Sequence, residues 1–219
     1  MGRRVAATGS LIDAVAELEG GPRTLRPLPL DDVIPVNREI IQAETGMRAV
    51  FGPTMLRKAA DFGNILLSRH PIEQVRRYDI TFRSREPRGI IEALVRLGDR
   101  TVRVCVTHFG LRAWERVSQA RRLARVLFCS PAPAFRVAMG DLNDWLPGSP
   151  FIRPLLSRFP SMASPRSFPS IFPLLALDRV LVRGKGGERV SVTAHRSPAA
   201  RVASDHLPVV ADVDLSECI

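Results

Sequence analysis

Apolar and polar residues alternate with a period of two along much of the chain, and this pattern predicts many short β-strands. Gly98-Asp99 separates two such runs and predicts a hairpin turn between them. The strands predicted in this way are Arg48 to Phe51, Asn64 to Ser68, Tyr78 to Arg83, Ile90 to Leu97, Thr101 to Thr107, Phe135 to Met139, Ala176 to Val182, Val190 to Ala194 and Leu207 to Val213.

A helical period replaces the strand period in a few segments. Ala113 to Phe128 has apolar residues on one face and interleaved Arg, which predicts an amphipathic helix of about four turns. Shorter helices are predicted from Ser10 to Glu19, from Asn37 to Thr45 and near Ile152 to Phe159. Many strands with few helices favour an α/β sandwich, in which stacked mixed sheets are flanked by helices.

Composition narrows the class of protein. A chain of 219 residues with 45% hydrophobic content is long enough to bury a core as one domain. No apolar stretch approaches the roughly 20 residues of a membrane helix, and the beginning lacks the apolar core of a secretory signal. Three cysteines without metal-type spacing, Cys105, Cys129 and Cys218, indicate a reducing compartment. We therefore expect a soluble cytoplasmic protein without stable membrane insertion.

The net charge of +10 leaves two interpretations open. It could mark a nucleic-acid-binding face, because contacts with phosphates release counterions. The excess is mostly Arg scattered over strands, loops and helices, which is equally typical of a general compositional bias. Charge alone does not identify the substrate.

Two short segments with polar side chains lie at the ends of predicted strands. Gly140-Asp141-Leu142-Asn143 follows one apolar run, and Ser204-Asp205-His206 precedes another. Carboxylate and amide oxygens suit Mg²⁺, and a neighbouring His can orient or deprotonate a water. These residues predict the hydrolysis of a phosphate ester with a divalent cation.

Five segments occur in an order that resembles the endonuclease/exonuclease/phosphatase superfamily. They cover roughly Gly46 to Leu215. The resemblance implies a four-layer α/β sandwich and phosphoester hydrolysis that depends on Mg²⁺ or Mn²⁺. The segments are Gly63-Asn64-Ile65-Leu66-Leu67-Ser68-Arg69, Val106-Thr107-His108-Phe109, Gly140-Asp141-Leu142-Asn143-Asp144-Trp145, Leu177-Asp178-Arg179-Val180-Leu181-Val182 and Ala203-Ser204-Asp205-His206-Leu207-Pro208-Val209.

The resemblance implies roles for three residues. His206 is similar to the catalytic imidazole of the family, and Asp178 to the acid that orients it, since an imidazole needs a partner to fix its tautomer. His108 resembles the Thr-His step of the deoxyribonuclease, sphingomyelinase and related phosphatase branches, where it acts on the phosphate or the leaving oxygen. Alternatively, Asp178 is a solvated acid at a strand end and His108 a core histidine.

The pair Asp141 and Asn143 alternates along a predicted strand end, so both side chains are expected on one face. In the family such a pair holds the attacking water, the metal or a phosphate oxygen; the alternative is an ordinary turn. Asp205 is expected to join the metal shell or to pair with a neighbouring cation. His70 and His195 lack such a context and are interpreted as structural.

The family's usual beginning is missing. Full members open with a strand ending in Asn and another ending in Gln-Glu, whose Glu is the principal metal ligand. Here that region is Pro-rich, and the nearest acid, Glu39, falls in a predicted helix. We expect a single domain overall, with residues 1–45 as an atypical N-terminal segment and 46–219 as the family-like domain. A truncated or frameshifted product and a member that holds its metal differently both remain open.

The expected function is therefore a divalent-metal-dependent hydrolase of phosphoester bonds. The alternative is a catalytically impaired or truncated relative that binds phosphorylated ligands or nucleic acid without turnover. Nucleic acid, phospholipid head groups, inositol phosphates and small phosphates all remain possible substrates. The loops from Pro147 to Pro173 and from Phe82 to Gly89 are expected to shape the cleft. The sequence does not specify an oligomeric state.

Overall fold

A computed structural model describes residues 3–7, 41–57, 60–129, 133–146, 148–159, 161–184 and 189–214. The predicted helix from Ser10 to Glu19 lies outside these residues, as do Glu39 and Cys218. The strands are β1 (Arg3–Ala7), β2 (Arg48–Arg57), β3 (Ala60–Ser68), β4 (Ile72–Asp79), β5 (Gly89–Leu97), β6 (Arg100–Thr107), β7 (Phe135–Asp141), β8 (Ser161–Ala163), β9 (Asp178–Arg183), β10 (Arg189–Ala194) and β11 (Val209–Asp214).

The largest sheet has six strands in the order β4-β5-β6-β7-β9-β8. Its centre is the parallel pair β6 and β7, whereas its other neighbouring strands are antiparallel. A second group consists of the three strands β1-β11-β10 and the hairpin β2-β3. The helices are α1 (Ala113–Phe128), α2 (Arg153–Leu156) and α3 (Pro198–Ala203), and one helical turn covers 41–45.

Alternate residues of the large sheet face two different cores. Val104 of β6 packs towards β2, β3 and β11, so the two groups of strands bury a common apolar layer. The next residue, Cys105, packs on the other side against α1 and α2. Burial of this apolar surface from both sides is the main stabilising contribution to the fold. The predicted α/β class, with stacked sheets and flanking helices, is confirmed.

A buried arginine joins α1 to the large sheet. The Arg103 guanidinium donates to the carbonyl of Val126 at 2.9 Å, near the end of α1, and its Nε lies 2.9 Å from Glu92 Oε1. A cation at a helix C-terminus satisfies carbonyls that have no partner within the helix. This contact fixes the helix beside β6. In the part of the chain that the structure describes, no helix is long and apolar enough to cross a membrane.

Several predicted elements differ from the structure. The strand predicted from Tyr78 to Arg83 is wrong: β4 runs from Ile72 to Asp79, and a turn follows in which Ile80 N donates to Arg88 O. The alternation is blurred in β4 because it lies at the edge of the sheet and few of its residues are buried. The helix predicted near Ile152 to Phe159 is a single turn, and α3 and β8 were not predicted.

Candidate active site

The sheet topology brings three chain segments to one edge. Because β6 and β7 are parallel, their C-terminal ends meet, and His108 and Asp141 lie there. Strand β9 is antiparallel to β7, so it begins at the same edge, with Asp178 directly opposite Asp141. Asp141 is 7% exposed and Asp178 3% exposed, so both carboxylates are almost completely shielded from solvent.

Gly140 allows the close approach of β6 and β7 at this edge. It has a φ of 139°, and a Cβ at this position would lie 1.8 Å from the carbonyl oxygen of Thr107. Only glycine fits such a backbone contact and such a φ. The glycine before Asp141 is therefore required to place Asp141 beside His108.

Asn143 reaches the site by a different route from the one predicted. Strand β7 ends at Asp141, and Asn143 has a left-handed φ of 50°. Its backbone N donates to Asp141 Oδ1 at 2.7 Å, an Asx turn that Asn and Asp favour. The expectation that strand alternation puts both side chains on one face is thus wrong. The turn itself brings the two side chains together.

His108, Asp141 and Asn143 form a connected group. His108 Nε2 lies 3.1 Å from Asn143 Nδ2 and 3.4 Å from Asp141 Oδ2. Asn143 Nδ2 also donates to the carbonyl of Phe109 at 2.7 Å, and Phe109 N donates to the Asp141 carbonyl at 2.9 Å. The loop after β6 and the loop after β7 are therefore tied together through Asn143.

His206 and Asp178 form a hydrogen-bonded pair. His206 Nδ1 lies 2.7 Å from Asp178 Oδ2, and Ser167 Oγ donates to the same carboxylate oxygen. The Phe168 ring packs against the imidazole with 4.9 Å between ring centroids. Leu207 N donates to Ser167 O at 2.8 Å, which holds the two loops together. Ser167 and Phe168 were not predicted as site residues, because the pattern of the residues around them does not distinguish them from an ordinary loop.

The charges in the site shift two pKa values. Burial raises the pKa of Asp141, and the nearby Asp178 raises it further, against the opposing effect of His108. Burial by itself lowers the pKa of His206, but the hydrogen bond and charge of Asp178 outweigh it, so the pKa of His206 is raised. The carboxylate of Asp178 therefore makes the His206 imidazole more basic.

A cleft of about 420 Å³ opens over these groups. All six predicted site residues border it: His108, Asp141, Asn143, Asp178, Asp205 and His206. His70 and His195 lie outside its lining. Arg88, which borders the cleft from the loop after β4, was not predicted as a site residue, and Trp145 also borders the cleft and is exposed.

The donor set for a cation is sparse. Within the described ranges, no group of three or more His, Cys, Asp or Glu is placed to hold a metal. Mg²⁺ commonly takes only one or two protein carboxylates and completes its shell with water and substrate oxygens. Asp141, whose burial disfavours its charge, and the exposed Asp205 border the same cleft. These residues fit a cation held by few protein oxygens.

The sequence model of the Endonuclease/Exonuclease/phosphatase family matches residues 16–206 of the chain. The uncharacterised protein YbhP of Escherichia coli strain K12 is 31% identical over 162 residues, which are 70% of this chain and 63% of YbhP. The chain thus spans less than two thirds of the length of the curated relative that it matches.

Solved structures share the fold. Humanised TDP2 of D. rerio has a TM-score of 0.62 at 15% identity, over 83% of this chain and 82% of that one. A beta toxin mutant of Staphylococcus aureus with bound magnesium ions has a TM-score of 0.57 at 16% identity, over 70% and 69% of the two chains. Together with the match over residues 16–206, these findings show that the chain belongs to the endonuclease/exonuclease/phosphatase family.

Proposed function

We propose that the protein hydrolyses phosphoester bonds with the help of a divalent cation, and that His206 and Asp178 act on the attacking water. The observation that carries this proposal is the 2.7 Å contact between His206 Nδ1 and Asp178 Oδ2 in the same cleft as Asp141. A paired imidazole and carboxylate beside a buried acid form a general-base arrangement.

The His206 tautomer follows from its partner. When Nδ1 carries the proton and donates a hydrogen bond to Asp178, the lone pair of Nε2 can accept a hydrogen bond from a water molecule. His206 takes a proton from this water as its oxygen attacks phosphorus. Asp178 stabilises the resulting imidazolium, and Ser167 and Phe168 hold the pair in place.

His108 and Asn143 act on the other side of the phosphate. Both border the cleft, and the contact between His108 Nε2 and Asn143 Nδ2 holds them next to each other. The contact forms when Nε2 is unprotonated and accepts from the Asn143 amide; when protonated, Nε2 instead donates to a non-bridging oxygen or to the leaving oxygen, which spreads the charge that develops in the transition state.

A Mg²⁺ or Mn²⁺ ion would be held by Asp141, Asn143 and Asp205, and when bound it would neutralise charge on the phosphate. The amide nitrogen of Asn143 is engaged by Phe109 O, so only its amide oxygen could serve as a ligand. A cation would also relieve the cost of the buried charge on Asp141. A beta toxin structure of the same fold contains bound magnesium ions, which supports a divalent cation as the cofactor.

Arg88 is assigned to phosphate binding. It borders the cleft, and its Nε is buried without a hydrogen-bond partner among the described residues. One terminal nitrogen contacts Glu86 Oε2 at 3.1 Å, but the Glu86 side chain is 54% exposed and competes with water. The backbone of Arg88 is anchored, since its N donates to Thr81 Oγ1 at 3.1 Å. An arginine with an anchored backbone and a guanidinium donor that has no partner among the described residues suits a phosphate oxygen.

Turnover of a generic phosphoester tests the proposal. Purified protein with Mn²⁺ or Mg²⁺ should hydrolyse bis-p-nitrophenyl phosphate or p-nitrophenyl phosphate, and His206→Ala should abolish this activity. His195→Ala is the matched control, because His195 is exposed and does not border the cleft. Equal turnover by the His206 variant and the wild type would refute the assignment.

Binding of phosphorylated ligands or nucleic acid without turnover is the second candidate. It is favoured by the absence, among the described residues, of a group of three metal-binding side chains and by the net charge of +10. Isothermal titration with Mn²⁺ separates the two candidates. Salt-sensitive ligand binding without metal binding or turnover would support this candidate over the enzyme.

A further inference from the structure

The large exposed hydrophobic side chains of the described residues lie on four segments of the chain, 111–114, 145–146, 171–174 and residue 202, and two of these segments contribute lining residues to the cleft. Four of them, Leu111, Trp114, Ile171 and Phe172, are between 68% and 75% exposed. Single exposed apolar residues are ordinary, but a cluster on one side of a molecule marks an interaction surface. We call this set the cleft-mouth surface; its residues are Leu111, Trp114, Trp145, Leu146, Ile171, Phe172, Leu174 and Val202.

The cleft-mouth surface is continuous with the cleft on two sides. On one side, Leu111 and Trp145 themselves border the cleft. On the other side, Phe168 and Leu175 border it, and they enclose the exposed residues Ile171 to Leu174 in the chain. A partner that covers Leu111 and Trp145 therefore lies against the lining of the cleft.

A cation–π contact and several hydrogen bonds anchor the segments that carry the exposed side chains. The Arg116 guanidinium lies 5.7 Å from the centre of the Trp145 ring and is itself fixed by Asp144 Oδ2 at 3.2 Å. In the other segment, Leu174 N donates to Phe168 O at 2.8 Å, and Arg201 donates to Ile171 O at 2.9 Å. These contacts anchor the backbone of residues 171–174 and place a cation over the Trp145 ring.

Basic side chains accompany the apolar ones. Arg112 is exposed next to Leu111, and Arg166 is exposed two residues before Phe168. Arg83 and Arg85 are exposed on the loop that leads to the cleft residue Arg88. With a net charge of +10 for the chain, this surface complements an anionic partner.

We propose that the cleft-mouth surface docks on an anionic lipid bilayer. Tryptophan, phenylalanine and aliphatic side chains next to arginines are the composition that enters the headgroup region of a membrane. Trp114, Trp145 and Phe172 offer rings on which bases can stack, but the aliphatic side chains of Leu111, Ile171 and Leu174 do not, so nucleic acid fits this mixed surface less well than lipid does. The docked protein is peripheral, with the opening of the cleft against the headgroups.

Docking places phospholipid headgroup phosphates at the cleft, which makes a lipid phosphoester the substrate class. This consequence rests on the proposed hydrolase activity, whereas the docking itself does not. A variant without His206 should therefore bind vesicles as the wild type does, so a failure of catalysis and a failure of docking give different results.

Vesicle binding of the full chain tests the proposal. The chain has 2 tryptophans, Trp114 and Trp145, and both lie on the cleft-mouth surface. Their fluorescence should shift to shorter wavelength with vesicles of phosphatidylcholine and phosphatidylglycerol, and the protein should sediment with them. Pure phosphatidylcholine vesicles should bind more weakly. The paired change Ile171→Ser and Phe172→Ser should weaken binding by about tenfold or more, because both side chains would lose their lipid contacts.

Charge reversal supplies a matched pair of variants. Arg112→Glu should weaken binding roughly fivefold or more. Arg100→Glu should have little effect, because Arg100 begins β6 at the end of the strand far from His108. Absence of vesicle binding, binding unaffected by the serine changes, or a fluorescence change with single-stranded DNA but not with vesicles would each overturn the proposal. The last result would identify a nucleic-acid interface instead.

Discussion

Asp141 is a carboxylate that the fold keeps almost out of solvent, and its burial raises its pKa. The charged form is therefore less favourable in the folded protein than in the unfolded chain. Such a group lowers stability above its pKa, and a bound cation can offset that cost. At the scale of single residues, burial of the Asp141 carboxylate thus lowers the stability of the folded protein and places a charged ligand for a cation in the cleft.

Replacement of this carboxylate tests whether its buried charge lowers stability. Asp141→Asn keeps an oxygen that can accept from Asn143 N but removes the buried charge. We expect the melting temperature of the metal-free protein to rise by roughly 2–4 °C at neutral pH, while turnover is lost. The difference in stability should narrow as the pH falls through the raised pKa of folded Asp141 and disappear below 3.8, the ordinary pKa of Asp, where the carboxyl is protonated in both states. A lower melting temperature at neutral pH would contradict this account.

Arg88 provides a second test among single residues. If it binds the phosphate, Arg88→Ala should raise KM by about tenfold or more with a smaller effect on kcat, and Arg88→Lys should restore part of the loss. Arg100→Ala is the control, because Arg100 begins β6 far from the cleft. Unchanged kcat/KM in Arg88→Ala would exclude this role.

The cysteines differ in reactivity for a physical reason. Cys105 is fully buried, and burial raises the pKa of its thiol well above the ordinary value, whereas Cys129 is exposed. Iodoacetamide at pH 8 should therefore modify Cys129 in the native protein and spare Cys105 until the chain unfolds. Peptide mass spectrometry locates the modification, and prompt labelling of Cys105 would disprove its burial.

At the scale of elements, the site depends on the parallel contact between β6 and β7. Every catalytic assignment after these strands assumes that their ends are close, and Gly140 makes the close approach possible. Strand β9 then adds Asp178 by its antiparallel register. A change that separates β6 from β7 should damage stability and site geometry together.

Two glycine substitutions test this dependence. Gly140→Ala should lower the free energy of unfolding by more than about 3 kcal/mol, because its Cβ would collide with the Thr107 carbonyl. Gly98→Ala, at the hairpin turn with a φ of 69° and nothing within 4 Å of its Cβ, should cost about 1 kcal/mol. Urea unfolding measures both. Equal costs would show that the close approach is not what requires glycine at residue 140.

The sequence predicted those helices and strands whose hydrophobic pattern is contained within the element itself. Helix α1 matches the predicted bounds because its apolar period is unbroken over Ala113–Phe128, and β5 and β6 each begin within one residue of the predicted strand. Ser167 and Phe168 could not be found in this way, since their roles come from contacts with Asp178 and His206, distant in sequence. The turn at Asn143 had been only the alternative interpretation, because alternation was extended past the true end of β7.

At the scale of the whole molecule, the chain packs a six-stranded sheet between a second group of strands and a helical layer, and the cleft opens at one edge of this sheet. The family resemblance inferred from five ordered segments is confirmed by the family match over residues 16–206. The division at residues 45 and 46 remains a prediction, as do the roles of the site residues. A rigid scaffold with loops at one edge is a common way to build a hydrolytic site.

The central claim is that His206 and Asp178 work as one unit. A double-mutant cycle with Mn²⁺ and bis-p-nitrophenyl phosphate, using His206→Ala, Asp178→Ala and the double variant, tests it most directly. We expect each single change to lower kcat by about a thousandfold, and the double variant to be no slower than His206→Ala. Full turnover by Asp178→Ala, or a double variant whose loss is the product of the two single losses, would contradict the account.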